Sequence, residues 1–132
     1  MKILDTTYYT VKRSSAGLGL FARKEIKKGD RIIEYVGTML TADQANQKGG
    51  QYLFEISTRR TIDGTTRKNT ARYVNHSCIP NAEAIIEGSQ VFIYAKRKIV
   101  PGEEITYDYG KEFFNTYIKP KGCRCVKCKK KN

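Results

Sequence analysis

The chain has 132 residues, of which 39% are hydrophobic and 11% aromatic, and its 25 Lys and Arg exceed 13 Asp and Glu to give a net charge of +12. This length fits one domain with a modest core, and the aromatic content is typical of a globular protein and not of a disordered one. The sequence has no apolar run of membrane-spanning length and no signal-peptide pattern, so it predicts a soluble intracellular protein without membrane contact.

Short strands dominate the predicted elements, so the sequence predicts a mainly β fold. Gly88 and Ser89 predict a hairpin turn between the last two strands. Runs rich in β-branched and aromatic residues predict the strands at 8–12, 31–36, 52–57, 83–87 and 91–97.

The segment GLGLFA at 17–22 matches the letters of a dinucleotide-binding fingerprint. That fingerprint needs a buried strand before it and a helix after it, but strongly polar residues lie on both sides here. We therefore interpret the segment as a turn whose glycines let the backbone come close to another group.

One α-helix is predicted in the middle of the chain. Thr41 and Gln44 have the spacing of a capping box, and Gly49 with Gly50 would end the helix. A further short helical turn is predicted at 69–74.

The spacing of the four cysteines suggests a metal site. Cys123, Cys125 and Cys128 lie close together, and Cys78 lies far upstream. Three clustered cysteines with one distant partner are typical of a tetrahedral thiolate site, which would fix the tail near Asn75 and His76. The alternative is a disulfide framework, in which Cys123 or Cys125 would pair with Cys78 or Cys128.

The tail at 119–132 contains seven basic residues and no acidic ones. Such a tail is either a solvated extension or a surface that attracts phosphate or acidic protein. Non-specific contact with nucleic acid through this tail is therefore one prediction.

Two polar segments are candidates for chemistry. The first is RYVNHSCIPN at 72–81, which contains the only histidine of the chain. The second is PGEEITYDYG at 101–110, which would place Tyr107 and Tyr109 on one face if the segment is extended. The alternative is that these two tyrosines form an aromatic pair in the core. The acidic residues of this second segment are interpreted as exposed or paired with cations. The motifs of serine hydrolases, zinc proteases and P-loop proteins do not occur, so the sequence does not support those functions.

Together these motifs resemble those of the SET-domain protein lysine methyltransferases, and they follow the order of that family. The resemblance covers almost the whole chain, from about residue 8 to residue 128. It rests on GLG at 17–19, EYVG at 34–37, YLF at 52–54, RYVNHSCIPN at 72–81, GEEITYDYG at 102–110 and GCRCVKC at 122–128.

The resemblance implies a SET-domain, β-clip-like fold of small sheets with a threaded pseudoknot and one or two short helices. Residues 1–118 would form the SET domain and residues 119–132 a post-SET-like zinc-binding tail. The tail has the spacing C-x-C-x2-C in place of the usual C-x-C-x4-C.

The implied function is transfer of a methyl group from S-adenosylmethionine to a lysine side chain of a protein. That protein would be a histone, a histone-like or other DNA-associated protein, or a ribosomal protein. The backbone of Gly17, Leu18 and Gly19 would hold the methionine end of the cofactor. Asn75 and His76 would hold it near its adenine end, with Arg72 close by. Tyr52 and Tyr109 complete the implied set of cofactor-binding residues.

Three tyrosines receive roles from the resemblance. Tyr109 would be the catalytic tyrosine beside the sulfonium, and Tyr52 would line the junction of the cofactor with the substrate-lysine channel. Tyr107 occupies the tyrosine/phenylalanine switch position, which predicts mono- or dimethylation. One zinc would be bound by Cys78, Cys123, Cys125 and Cys128.

The resemblance predicts a monomer or a homodimer that is cytoplasmic or associated with a nucleoid or chromatin. The alternative function is a zinc-stapled basic module that binds nucleic acid or acidic protein without catalysis. A SET-like fold that has lost activity is a third interpretation, and the intact Tyr109, Asn75 and His76 argue against it.

Overall fold

The computed structural model describes residues 2–15 and 17–110. Short strands dominate this part of the chain, with one α-helix and two 3-10 turns, Thr6–Tyr8 and Thr70–Tyr73. This confirms the mainly β fold class. The strands are β1 (Tyr9–Ser14), β2 (Gly17–Ala22), β3 (Arg31–Tyr35), β4 (Thr38–Thr41), β5 (Leu53–Glu55), β6 (Arg60–Asp63), β7 (Asn75–His76), β8 (Ala82–Glu87), β9 (Gln90–Ala95) and β10 (Glu104–Tyr107), and the helix is α1 (Ala42–Lys48).

The strands form three small sheets, in the orders β1-β2-β10-β7, β3-β9-β8 and β4-β6-β5. Most neighbours are antiparallel, but β10 runs parallel to β7. Strand β10 therefore joins the glycine-rich β2 on one side to the Asn75–His76 strand on the other.

The apolar core contains side chains from all parts of the described chain. The largest fully buried side chains include those of Leu20, Ile32, Ile93 and Ile105. Removal of such side chains from water is the main favourable term in folding. Tyr107 is only 7% exposed, so the end of β10 enters this core.

The helix and the hairpin were predicted correctly. The backbone amide of Gln44 donates to Thr41 Oγ1 at 3.2 Å, the amide of Thr41 donates to Gln44 Oε1 at 2.9 Å, and Gly49 caps the C-terminus. β8 and β9 form the predicted hairpin around Gly88, which has a φ of +65°. The short turn predicted at 69–74 is also present as a 3-10 turn.

The interpretation of residues 17–22 as a turn was wrong, because this segment is strand β2, paired with both β1 and β10. The expected close approach is nevertheless present. A Cβ built on Gly19 would lie 2.3 Å from Glu104 Oε2. Strands β4 and β6 were not predicted.

Several predictions lie outside the described residues. These include the division at 118/119, the basic tail, and the structure around Cys123, Cys125 and Cys128. Within the described ranges, no helix is long and apolar enough to cross a membrane.

Candidate active site

The two polar motifs of the sequence lie side by side, because β7 and β10 pair in parallel with Asn75 opposite Thr106 and His76 opposite Tyr107. The side chain of Asn81, 3% exposed, extends this contact. It donates from Nδ2 to the carbonyl of Glu104 at 2.8 Å and accepts from the amide of Thr106 at 3.0 Å.

Asn75 connects this pair of strands to the glycine-rich β2. Its Nδ2 donates to the carbonyl of Leu18 at 2.9 Å, and it lies 2.8 Å from Glu104 Oε2 and 3.1 Å from Ser14 Oγ. The GLG motif and Asn75 are therefore in direct contact. Glu104 was expected to be exposed or paired with a cation, but it contacts the amide of Asn75, which corrects that interpretation.

Glu103 is paired with a cation, as expected for the acidic residues of this segment, because its carboxylate forms an ion pair with Arg97 at 2.8 Å. Asp108 is 60% exposed and lies 3.7 Å from His76 Nδ1. Burial lowers the pKa of His76, and the nearby Asp108 partly opposes this shift.

The tautomer of His76 follows from its hydrogen bonds. The backbone amide of Tyr109 donates to His76 Nδ1 at 3.1 Å, so Nδ1 carries no proton. A neutral imidazole then has its proton on Nε2, which lies 3.4 Å from Cys78 Sγ. His76 thus fixes the backbone of Tyr109 with one ring nitrogen and faces Cys78 with the other.

Tyr107 and Tyr109 lie together, with ring centroids 4.8 Å apart. The hydroxyl of Tyr109 donates to the carbonyl of Val74, and its ring packs edge-on against His76 at 5.5 Å. Burial raises the pKa of Tyr109 and the pKa of Tyr107 well above their ordinary value. Both hydroxyls therefore keep their protons at neutral pH.

A cleft of about 210 Å³ lies beside these tyrosines. Among its lining residues are Phe54, Glu83, Lys96, Tyr107 and Tyr109. The cleft thus has an aromatic side and charged groups at its edge.

Tyr52 lies near the site but is not among the residues that line the cleft. Its carbonyl accepts from the hydroxyl of Tyr35 at 2.7 Å, and the guanidinium of Arg72 lies 4.5 Å from the centre of its ring. Tyr35 belongs to the EYVG motif and is 4% exposed, and the sequence analysis gave it no role in the site.

Cys78 is the only one of the four cysteines in the described residues, and it is partly buried beside His76. Those residues contain no cluster of three or more metal-ligating side chains. The other three proposed ligands, Cys123, Cys125 and Cys128, lie outside them.

A comparison with known protein families shows to which family the chain with this site belongs. The SET domain profile matches residues 17–110, which include the glycine-rich strand, Asn75, His76 and both tyrosines. The chain belongs to the SET domain family.

Curated relatives of this SET domain have similar names. The chain is 36% identical over 92% of its length to Histone-lysine N-methyltransferase 2D of Homo sapiens, and it spans 2% of that protein. It is 43% identical over 70% of its length to Histone-lysine N-methyltransferase, H3 lysine-4 specific, of Schizosaccharomyces pombe, of which it spans 11%. It is also 39% identical over 84% of its length to Histone-lysine N-methyltransferase set1 of Dictyostelium discoideum, of which it spans 8%.

The sequence analysis named Glu104 and Asn81 of this SET domain within their motifs but did not predict their contacts in the site. The alternation of buried and partly exposed residues along β10 contains a signal for the first, since Ile105 and Tyr107 point into the core and Glu104 must face the other way. Asn81 gives no such signal, because its partners on β10 are distant in the sequence.

Proposed function

We propose that this SET domain transfers a methyl group from S-adenosylmethionine to a lysine side chain of a protein. The observation that carries the proposal is the position of Tyr109. This residue packs against His76 and also lines the aromatic cleft. A group in this position can face a methyl donor on one side and an incoming amine on the other.

The cofactor would lie against β2 and β7. Leu18 is 49% exposed, and the space where a side chain at Gly17 would begin is open. The residues that would hold the cofactor are Gly17, Leu18, Gly19, Arg72, Asn75 and His76. When bound, the cofactor supplies a methyl group already activated by its sulfonium.

The chain must then align the lysine amine and receive it without its proton. Transfer out of water and into an aromatic cleft disfavours the charged amine and lowers its pKa from an ordinary value of about 10.4. Tyr109 keeps its own proton because burial raises its pKa. It would therefore act as an orienting and electrostatic group and not as a general base.

Tyr107 would limit the product to mono- or dimethyllysine. Its side chain is buried beside Tyr109 at the wall of the cleft. A hydroxyl at this position occupies space and can hold a water or the amine, which leaves little room for a bulkier methylated nitrogen.

The substrate would be a histone or another lysine-rich protein associated with DNA. The names of the curated relatives support this class of substrate, and they support association with chromatin. Cys78 would join Cys123, Cys125 and Cys128 in one zinc site, which would place the tail close to His76 and thus to the cofactor.

Titration calorimetry with S-adenosylmethionine, followed by methylation of core histones with labelled cofactor, tests the proposal. The wild type should bind one cofactor per chain and label a histone. Tyr109→Phe should bind the cofactor but lose about a hundredfold or more in kcat. Tyr94→Phe removes a hydroxyl that contacts Arg31 and Glu87, neither of which lines the cleft, so it should keep full activity.

One result would contradict the proposed function, and a second would contradict only the role of Tyr109. If the wild type fails to bind the cofactor, the non-catalytic basic module becomes the better interpretation. If Tyr109→Phe keeps wild-type turnover, the methyltransferase function stands and Tyr109 loses its catalytic role.

A further inference from the structure

The side-chain amide of Asn75 has more acceptors around its nitrogen than it has protons to give. Nδ2 lies 2.8 Å from Glu104 Oε2, 2.9 Å from the carbonyl of Leu18 and 3.1 Å from Ser14 Oγ. An amide nitrogen carries only two protons. The two shorter contacts are to a carboxylate and a carbonyl, and these groups can only accept.

These contacts determine which way the amide faces. A flipped amide would place Oδ1 against the Glu104 carboxylate and the Leu18 carbonyl, and three acceptors would then repel one another. Nδ2 must therefore face them, and Oδ1 must point away. Within residues 2–15 and 17–110, Oδ1 has no hydrogen-bond donor, and it is not a buried atom. It is available to a ligand that brings an N–H group.

The absence of a side chain at Gly19 allows the carboxylate of Glu104 to reach the amide of Asn75. A Cβ at this position would lie 2.3 Å from Glu104 Oε2, which is closer than such atoms approach, and 3.1 Å from Asn75 Nδ2, which is a tight contact. The φ of Gly19 is not positive, so its backbone conformation is open to any residue. The second glycine of the GLG motif is therefore required for space, because the carboxylate passes where a side chain would begin.

We propose that Glu104 is a positioning residue for the cofactor. Its carboxylate reaches past Gly19 and fixes the amide of Asn75, so that Oδ1 accepts a hydrogen bond from an ammonium or amino group of the cofactor. The contact that matters is the hydrogen bond between Glu104 and Asn75, and Glu104 itself does not touch the ligand. This inference rests on the proposed function, since it requires that S-adenosylmethionine binds beside Asn75.

Variants of Glu104 can separate the reach of its side chain from its charge. Glu104→Gln keeps the length and an acceptor oxygen but removes the charge. Glu104→Asp keeps the charge but is one methylene too short to reach Asn75. The matched control is Glu103→Asp at the neighbouring position, whose carboxylate pairs with Arg97 and not with Asn75.

The measurements are the Kd for S-adenosylmethionine by titration calorimetry, the kcat at saturating cofactor, and the melting temperature without ligand. Glu104→Asp should weaken binding about tenfold or more, because the shorter side chain no longer reaches Asn75 and its amide is no longer held in place. Glu104→Gln should stay within about threefold of the wild type, as should Glu103→Asp. In Glu104→Asp the kcat should change less than the Kd, since a general loss of structure would lower the kcat as well as weaken binding.

Gly19→Ala provides an independent variant. Its methyl group would displace the carboxylate without changing it, so it should weaken cofactor binding as Glu104→Asp does. If Gly19→Ala does not fold, the comparison of Glu104→Gln with Glu104→Asp still tests whether the contact of Glu104 with Asn75 supports cofactor binding.

Three results would overturn the inference. Wild-type affinity in Glu104→Asp would show that the contact has no role in binding. Equal losses in Glu104→Gln and Glu104→Asp would indicate a direct charge contact with the ligand. A wild type that does not bind the cofactor at all would remove the proposed function together with this inference, whereas the first two results leave that function intact.

Discussion

At the level of single residues, burial sets the protonation states of the candidate site. It raises the pKa of Tyr107 and Tyr109 and lowers the pKa of His76, so all three side chains are neutral at neutral pH. Such a site offers oriented dipoles and no strong base. This suits a reaction in which the methyl donor is already activated and the amine must arrive without its proton.

The Tyr107 hydroxyl provides the first residue-level prediction. Tyr107→Phe should form more trimethyllysine than the wild type, because loss of the hydroxyl enlarges the space beside the amine. Mass spectrometry of a methylated histone peptide measures the product states. Tyr94→Phe, whose lost hydroxyl does not contact a residue that lines the cleft, should give the wild-type distribution. Abundant trimethyl product from the wild type would contradict the role assigned to Tyr107.

At the level of elements, local signals were predicted and long-range pairings were not. The capping box at Thr41 and the hairpin at Gly88 depend on residues a few positions apart, so they are visible in the sequence. β2 was missed because its glycines indicate a turn, and its strand conformation depends on pairing with β1 and with β10 far along the chain. The residues of the candidate site were predicted from the family resemblance, but the contact of Glu104 with Asn75 depends on this non-local pairing.

The capping box gives a prediction about α1. No residue of this helix is buried, so its first turn depends on the cap and not on packing. Thr41→Ala should lower the free energy of unfolding by about 1 kcal/mol, as measured by urea denaturation. Thr41→Ser keeps the hydroxyl and should stay close to the wild type. An equal loss in both variants would mean that the methyl group of Thr41 matters and the cap does not.

The turn between β9 and β10 gives a pH-dependent prediction. The hydrogen bond and charge of Arg97 hold the pKa of Glu103 below its ordinary value of 4.5, with the amide of Val100 as a second donor. Because the folded-state pKa is lowered, this stabilisation is present above pH 4.5 and is lost as the pH falls through the folded-state value. Since the pair is partly exposed, Glu103→Gln should cost about 0.5 kcal/mol at pH 7.

Urea denaturation at a series of pH values measures this difference, which should disappear in acid. Glu25→Gln is a suitable control, because Glu25 and Lys98 form a longer and more exposed pair at 3.6 Å. It should change stability little at any pH. A Glu103→Gln difference that persists unchanged at low pH would exclude the ion pair as its cause.

At the level of the whole molecule, the candidate site exists only when distant parts of the chain meet. Strand β10 places Glu104 against β2 and Tyr107 beside His76, so one strand connects the cofactor side with the cleft. A ligand that binds only this assembled site stabilises the entire fold by mass action. The same reasoning applies to a metal that joins Cys78 to a distant part of the chain.

Zinc therefore gives the prediction that concerns the whole chain. If Cys78 binds zinc together with the three cysteines of the tail, the purified protein should contain one zinc per chain by elemental analysis. Cys78→Ser should lose the metal, lower the melting temperature and weaken cofactor binding, because the tail would no longer be held near His76. Ile79→Ser introduces the same residue at an adjacent, 57% exposed position and should keep the zinc. A full zinc content in Cys78→Ser would show that Cys78 is not a ligand of the metal.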